Sequence, residues 1–174
     1  RERSWGTSLP IWQSKDGSER LVIGSIDELK KYTKKSGNTY FVMRHGEAGN
    51  STHKMFDCTD SRQFGLSEKG REEIKKSATK LTNRSISRIY VSPFTRARET
   101  ANLASEILGI PKEKIVVDAR LRELDFGDFD GTSDFDAFYA FRNLHGYADP
   151  FPNGESYQDA KNRFGSVIYD LERG

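Results

Sequence analysis

One histidine in this sequence stands where a nucleophile for phosphorus chemistry could act. His45 lies between Arg44 and Gly46, directly after the apolar run 40–43. An imidazole in that position can attack phosphorus with one ring nitrogen while a backbone carbonyl holds the other. Because isolated histidines are more often structural or exposed than catalytic, His45 becomes a strong candidate only if other loops bring matching groups to it.

Two later loops contain such groups. Arg96 follows the apolar run 86–91, and Glu123 follows the run 115–117. Guanidinium groups match the oxygens of a phosphoryl group and stabilise their charge as the bond to the leaving group breaks. A carboxylic acid can give a proton to the departing oxygen. These residue types therefore indicate phosphoryl transfer, with positive charge from Arg44 and Arg96.

The elements that must position these groups alternate between strand and helix. The apolar runs predict short strands, and apolar spacing predicts two helices, one capped by Ser67 and one ended by Gly109. In chain order the predicted elements are strand 40–43, helix 68–81, strand 86–91, helix 95–108, strand 115–117, an aromatic helix 135–144 and a final helix from about 155. This order predicts an α/β fold with a mostly parallel sheet, whose sites form beyond the carboxyl ends of the strands. His45, Arg96 and Glu123 all follow predicted strands.

The motifs around these residues resemble the signature of the histidine phosphatase superfamily, which includes the phosphoglycerate mutases. The matching segments follow the family's order: Arg-His-Gly-Glu at 44–47, then 66–70, 92–97 with Thr100, 121–123, 126–131 and 153–156. Each segment alone is a weak signal, but their shared order over about residues 39–174 is specific. The loop 126–131 resembles the small phosphatases of this family more than its mutases.

The resemblance implies a phosphoglycerate mutase-like fold, a three-layer α/β sandwich with a mostly parallel sheet. It implies that His45 is the nucleophile and that Glu123 is the proton donor. By the same resemblance, Arg44 and Arg96 hold phosphate. Ser51 occupies the position of a family asparagine, with Asn50 one place before it, and is assigned to substrate binding.

The implied activity is hydrolysis of phosphomonoesters through a phosphohistidine, without a metal or cofactor. The substrate would be a phosphorylated small molecule or a phosphoprotein. Residue spacing shows no metal-ligand pattern. Arg98 matches no family position and is interpreted as a helix-surface charge, while His53 and His145 follow no predicted strand and are interpreted as surface residues. The polar run 52–63 has no predicted role.

The family also contains a second His-Gly after a later strand, which would lie beyond Gly174. We therefore expect the domain at 39–174 to be truncated, with the C-terminal part of the fold missing from this chain. A strand ending in His-Gly in the parent protein would favour catalysis. Its absence would favour the alternative, an inactive insertion that binds phosphate or stabilises its host.

The first 38 residues have a different character. Residues 1–12, with Trp5 and Trp12, resemble class I aminoacyl-tRNA synthetases for branched aliphatic amino acids, although Ser8 replaces the usual first proline. Residues 22–29 resemble isoleucyl-tRNA synthetases in particular, and 34–38 is a polar linker. This resemblance predicts a phosphatase domain inserted in a synthetase, in which ATP and tRNA bind only the host. A competing hypothesis is that isoleucine–tRNA ligation by the host is the main activity and that the phosphatase domain is secondary. The alternative is a leader whose tryptophans pack on the next domain.

Composition excludes several function classes. The net charge is +2, from 28 basic and 26 acidic residues, which gives no broad basic field for nucleic acid. No apolar run is long enough for a membrane span. The single cysteine, Cys58, fits a reducing compartment and hence a cytoplasmic protein. Cys58 and Arg62 are too close in sequence for the loop of a cysteine phosphatase.

Overall fold

The computed structural model describes residues 11–13, 20–22 and 38–173. The chain divides into two compact units, Arg1–Tyr40 and Phe41–Gly174. In the first unit, β1 (Ile11–Gln13) and β2 (Arg20–Val22) form an antiparallel pair. Most of the predicted linker at 34–38 lies outside the described residues.

The described part of the second unit is mainly helical. Its α-helices are α1 (Gly49–Thr52), α2 (Glu68–Thr79), α3 (Thr95–Leu108), α4 (Phe135–Leu144) and α5 (Tyr157–Arg173). Three turns of 3-10 helix lie at Lys112–Lys114, Ala119–Leu121 and Gly127–Phe129. The four helices predicted from the sequence are confirmed, with the first ending at Thr79.

Local signals explain where these helices begin and end. The hydroxyl of Ser67 accepts a hydrogen bond from the Gly70 amide at 3.0 Å, which satisfies one of the amides left open at the start of α2. Gly109 ends α3 with φ +66°, a left-handed conformation that suits glycine. Ile74 and Ala78 of α2 are buried in one apolar cluster with Ala104 of α3, so these two helices pack together.

Two parallel strands form the sheet in the described part of this unit. β3 (Ile89–Val91) pairs with β4 (Ile115–Val117), with Tyr90 opposite Val116. Parallel neighbours need a crossover connection, and α3 provides it. β3 begins later than predicted because the Ile86 amide bonds to the Arg84 carbonyl in a local turn. The prediction of an α/β fold with parallel strands is confirmed.

The predicted strand at 40–43 is wrong for this structure, since these residues are in no strand. Val42 is 99% exposed. A strand requires a hydrogen-bonded neighbour, and none of the described β-pairings of this unit includes residues 40–43. The apolar composition of residues 40–43 is typical of a strand, but composition alone does not determine whether a neighbouring strand is available for pairing.

A second, aromatic core lies behind the loop 121–131. Phe138 stacks on Phe151 with ring centroids 5.3 Å apart, and Phe126 meets these two rings edge-on at 5.2 and 5.4 Å. Leu124 is buried in the same cluster. Tightly packed rings leave the backbone beside them little freedom, so this core anchors the loop that bears Glu123.

No helix in the described ranges is long and apolar enough to cross a bilayer.

Candidate active site

His45 is held by the backbone of its neighbour. Its Nδ1 atom lies 2.8 Å from the carbonyl oxygen of Gly46. A carbonyl can only accept a hydrogen bond, so Nδ1 carries the hydrogen. In the neutral ring, Nε2 is then left with its lone pair, as a nucleophile requires.

Two glycines allow this loop to pack against the start of α2. A methyl group on Gly46 would overlap the carbonyl of Gly70, and one on Gly70 would overlap the backbone of Glu47. The Ser67 amide donates to the Glu47 carbonyl at 2.9 Å, so backbone bonds join the two segments. The motifs at 44–47 and 66–70 are therefore the two sides of one contact.

Three of the predicted site residues share a cavity of about 230 Å³. Arg44, His45 and Ser51 line it together with Gly46, Glu47 and Glu73. Glu73 accepts a hydrogen bond from the Glu47 amide at 3.0 Å, which fixes the acidic side of the cavity. Sequence reasoning missed Glu73, because its position within α2 suggests only a solvated helix face.

Arg96 does not line this cavity, although it lies in the first turn of α3. Its side chain is 2% exposed and is committed to Asp57. Nη1 donates to a carboxylate oxygen of Asp57 at 2.5 Å, and Nη2 donates to the Asp57 carbonyl at 2.8 Å. The polar run 52–63 therefore supplies the counterion of a buried arginine. A direct phosphate contact by Arg96 stays a prediction.

The Arg96–Asp57 pair should matter for stability. We expect Arg96→Gln to lower the free energy of unfolding by about 3 kcal/mol, since it leaves a buried carboxylate without its charge partner. Urea unfolding followed by far-ultraviolet circular dichroism measures the change. Arg98→Gln is the matched control on the same helix, where the exposed side chain should change stability by no more than about 0.5 kcal/mol. Equal changes in the free energy of unfolding for the two substitutions would contradict the stabilising role of the Arg96–Asp57 pair.

Burial, with help from nearby positive charge, favours the neutral form of the His45 ring. Burial lowers the pKa of His45, and the charges of Arg96 and Arg44 lower it further. The hydrogen bond to the Gly46 carbonyl and the charge of Glu123 raise this pKa without reversing the shift. All three charged residues predicted from the sequence thus act electrostatically on this one ring.

Glu123 is exposed and lies in the loop that follows β4. One of its carboxylate oxygens accepts a hydrogen bond from the Leu124 amide at 2.9 Å. This bond turns the side chain back along the loop. The backbone around Glu123, rather than packing of its side chain, therefore sets where the carboxyl group lies.

Cys58, His53 and His145 do not line the cavity beside His45. Burial raises the pKa of the Cys58 thiol to about 12, so it is not a thiolate at neutral pH. His53 and His145 are exposed, as predicted, and their rings bond to the carbonyls of Gly49 and Phe141. Across the described ranges, no group of three histidine, cysteine, aspartate or glutamate residues is arranged to hold a metal ion.

Comparison with known proteins identifies the family to which this chain belongs. The sequence profile of the histidine phosphatase superfamily (branch 1) matches residues 40–174. The chain belongs to this superfamily. The resemblance drawn from the motifs is thereby confirmed.

Relatives within the superfamily include mutases and phosphatases. The chain is 32% identical over 133 residues to a 2,3-bisphosphoglycerate-dependent phosphoglycerate mutase of Chelativorans sp. (strain BNC1), covering 72% of this chain and 64% of the mutase. It matches the structure of a mycobacterial glucosyl-3-phosphoglycerate phosphatase complexed with VO3, with a TM-score of 0.63 and 28% identity. That match covers 74% of this chain and 61% of the phosphatase. The predicted phosphoglycerate mutase-like fold is confirmed, and the chain spans less than two thirds of these relatives.

A separate similarity covers a short stretch of the chain. Over 30 residues it is 70% identical to the isoleucine–tRNA ligase of Cytophaga hutchinsonii, which is 17% of this chain and 3% of the ligase. The predicted resemblance of the first 38 residues to isoleucyl-tRNA synthetases is therefore real but short.

Proposed function

We propose that this histidine phosphatase superfamily member hydrolyses phosphomonoesters through a phosphohistidine at His45. The observation that carries the proposal is the hydrogen bond from Nδ1 of His45 to the Gly46 carbonyl. It presents Nε2 as the free nitrogen of a ring whose pKa is lowered, next to a cavity shared with Arg44. A neutral, oriented imidazole beside a guanidinium group suits attack on an anionic phosphoryl group.

The proposed reaction has two steps. Nε2 of His45 forms a bond to phosphorus while the bond to the leaving oxygen breaks, and that oxygen takes a proton from the carboxyl group of Glu123. Water then attacks the phosphohistidine, giving a proton to the Glu123 carboxylate as the phosphorus–nitrogen bond breaks. Arg44 and Arg96 stabilise the phosphoryl charge, and Ser51 contacts the substrate. The substrate is a phosphorylated small molecule or a phosphoprotein, and no metal takes part.

The pH dependence of turnover tests this function. We expect the full-length protein to hydrolyse p-nitrophenyl phosphate, with kcat/KM falling as pH drops through the His45 pKa, which lies below the usual value of about 6.5. The fall occurs because protonation removes the lone pair. Arg44→Gln removes a charge that lowers this pKa, so the pKa rises and the acid limb moves to higher pH.

The control for this shift is Arg98→Gln, which removes an equal charge from a site that lines a different cavity, beside β4. It should leave the acid limb in place. An absence of turnover by the full-length protein at every pH would exclude the proposed function.

We also propose a host for this domain. The similarity to isoleucine–tRNA ligase over 30 residues supports a phosphatase domain embedded in a protein that ligates isoleucine to tRNA. In that protein, ATP and tRNA would bind the ligase part, and the phosphatase domain would act beside it. If the phosphatase site is inactive, the domain in that protein would instead be a module that binds phosphate without catalysis.

A further inference from the structure

A nearly buried ion pair lies behind the loop that bears Glu123. Glu155 precedes α5 and Arg163 lies within it, and their side chains are 13% and 12% exposed. Arg163 bonds to both carboxylate oxygens of Glu155, once through Nη2 and once through Nε at 3.3 Å. We refer to these two residues as the Glu155–Arg163 pair. Neither residue had an individual role predicted from the sequence.

Arg163 binds the backbone of the loop on the side before Glu123. Its Nη1 donates to the carbonyls of Arg120 at 2.6 Å and Arg122 at 2.9 Å. Its Nη2 lies 3.4 Å from the carbonyl of Glu123 itself. Guanidinium donors are fixed in one plane, so these contacts set the path of the loop up to Glu123.

Glu155 binds the loop on the side after Glu123. Its carboxylate accepts a hydrogen bond from the Asp125 amide at 3.0 Å, and its own amide donates to the Asp125 carbonyl at 3.0 Å. The same carboxylate accepts a bond from the Arg122 side chain at 3.2 Å. The backbone is thus held on both sides of Glu123 by one pair.

The contacts of Glu155 favour its charged form. Burial would raise the pKa of Glu155, but the hydrogen bonds from Arg163 and the Asp125 amide and the charges of Arg163 and Arg122 outweigh it and lower that pKa. Charge-assisted hydrogen bonds are stronger than neutral ones. The pair is therefore a rigid support rather than a transient surface contact.

We infer that Glu155 and Arg163 are positioning residues that aim the carboxyl group of Glu123 at the leaving oxygen. Glu123 is exposed, and its side chain makes one hydrogen bond in the described structure, to the adjacent Leu124 amide. Its placement therefore depends on the backbone that the pair holds. The inference rests on the proposed function, because it assumes that Glu123 is the proton donor.

The test compares two esters in the full-length protein. Arg163→Lys keeps the positive charge near Glu155, but one ammonium group does not reproduce the planar set of contacts to the loop carbonyls. A small displacement of a catalytic group can cost about 100-fold in rate. We therefore expect kcat/KM to fall about 100-fold for β-glycerophosphate, a poor leaving group that needs a proton. For p-nitrophenyl phosphate, whose leaving group needs none, the fall should stay within about threefold.

The control is Arg173→Lys on the same helix. Arg173 is exposed and bonds to the hydroxyl of Tyr169 at 3.0 Å, so neither ester should be affected. Equal slowing of both esters by Arg163→Lys would make the pair purely structural and overturn the inference, as would no slowing of either. If Arg163→Lys does not fold, Glu155→Gln, which keeps the side-chain shape, gives the same comparison with the same criteria.

The two esters distinguish a failure of the positioning role from a failure of the proposed function. A wild-type protein that hydrolyses neither ester would overturn the proposed function itself. If Glu123→Gln slows only β-glycerophosphate while Arg163→Lys and Glu155→Gln slow neither ester, the function stands and the positioning role is wrong.

Discussion

His45→Ala should abolish the expected hydrolysis of p-nitrophenyl phosphate by the full-length protein, with kcat reduced on the order of 10⁶-fold, the scale seen when a covalent nucleophile is removed. The expectation follows from the position of Nε2, which is the only nitrogen of this ring not held by the Gly46 carbonyl. Turnover is measured spectrophotometrically. Trapping of the phosphoenzyme in alkali, where phosphohistidine survives, should also fail in the variant.

The substitution should leave the fold intact. His45 is only half-buried and contributes one side-chain hydrogen bond, so its loss should cost about 1 kcal/mol of unfolding free energy. The matched control is His145→Ala, which removes an exposed ring that stacks on Phe141 and should keep full turnover. Circular dichroism of both variants excludes unfolding as the cause of a loss.

Other outcomes of this experiment distinguish the competing functions. Unchanged turnover in His45→Ala would remove His45 from the mechanism. A wild-type protein that binds inorganic phosphate without turnover would be the inactive module. In a parent protein that ligates isoleucine to tRNA, isoleucine-dependent exchange between ATP and pyrophosphate should be the same in wild type and variant, because that reaction belongs to the host.

Features with local signals could be predicted from the sequence. α2 begins after Ser67 because that hydroxyl caps it, and α3 ends at Gly109 because glycine adopts the left-handed conformation there. The shared location of Arg44, His45 and Ser51 could also be predicted, since the three lie close in sequence. They line one cavity.

Features that depend on distant partners could not be predicted. The run 40–43 has strand composition, but pairing is not a property of composition, and the segment is not a strand. Asp57 and Arg96 are 39 residues apart, and nothing in the polar run 52–63 singles out Asp57 as a counterion. The contacts of Arg163 with the loop join residues that are 41 and 43 positions apart. Such distant partners could not be predicted either.

Glu123→Gln should separate the two esters sharply, because it removes the proposed proton donor. A general acid contributes about 10²- to 10⁴-fold to departure of a poor leaving group, so kcat/KM for β-glycerophosphate should fall by that factor. The value for p-nitrophenyl phosphate should change little, because its leaving group departs without a proton. kcat/KM is the proper quantity, since it reports phosphoryl transfer to His45 and excludes the later hydrolysis step.

The geometry of Glu123 makes this a clean substitution. The oxygen that accepts the Leu124 amide at 2.9 Å is retained in glutamine, so the loop conformation should persist. The charge of Glu123 raises the His45 pKa, so its removal should move the acid limb of kcat/KM to lower pH. Glu106→Gln, at an exposed site on α3, is the control and should alter neither ester nor the acid limb.

Hydrolysis of the phosphohistidine, the second step of the proposed reaction, tests the role of Glu123 independently. If the Glu123 carboxylate activates water, the variant should accumulate phosphoenzyme on p-nitrophenyl phosphate, and kcat should fall although kcat/KM does not. A burst of p-nitrophenol equal to the enzyme concentration reports that accumulation. An equal loss of kcat/KM on both esters, without a burst, would show that Glu123 supports the loop and transfers no proton.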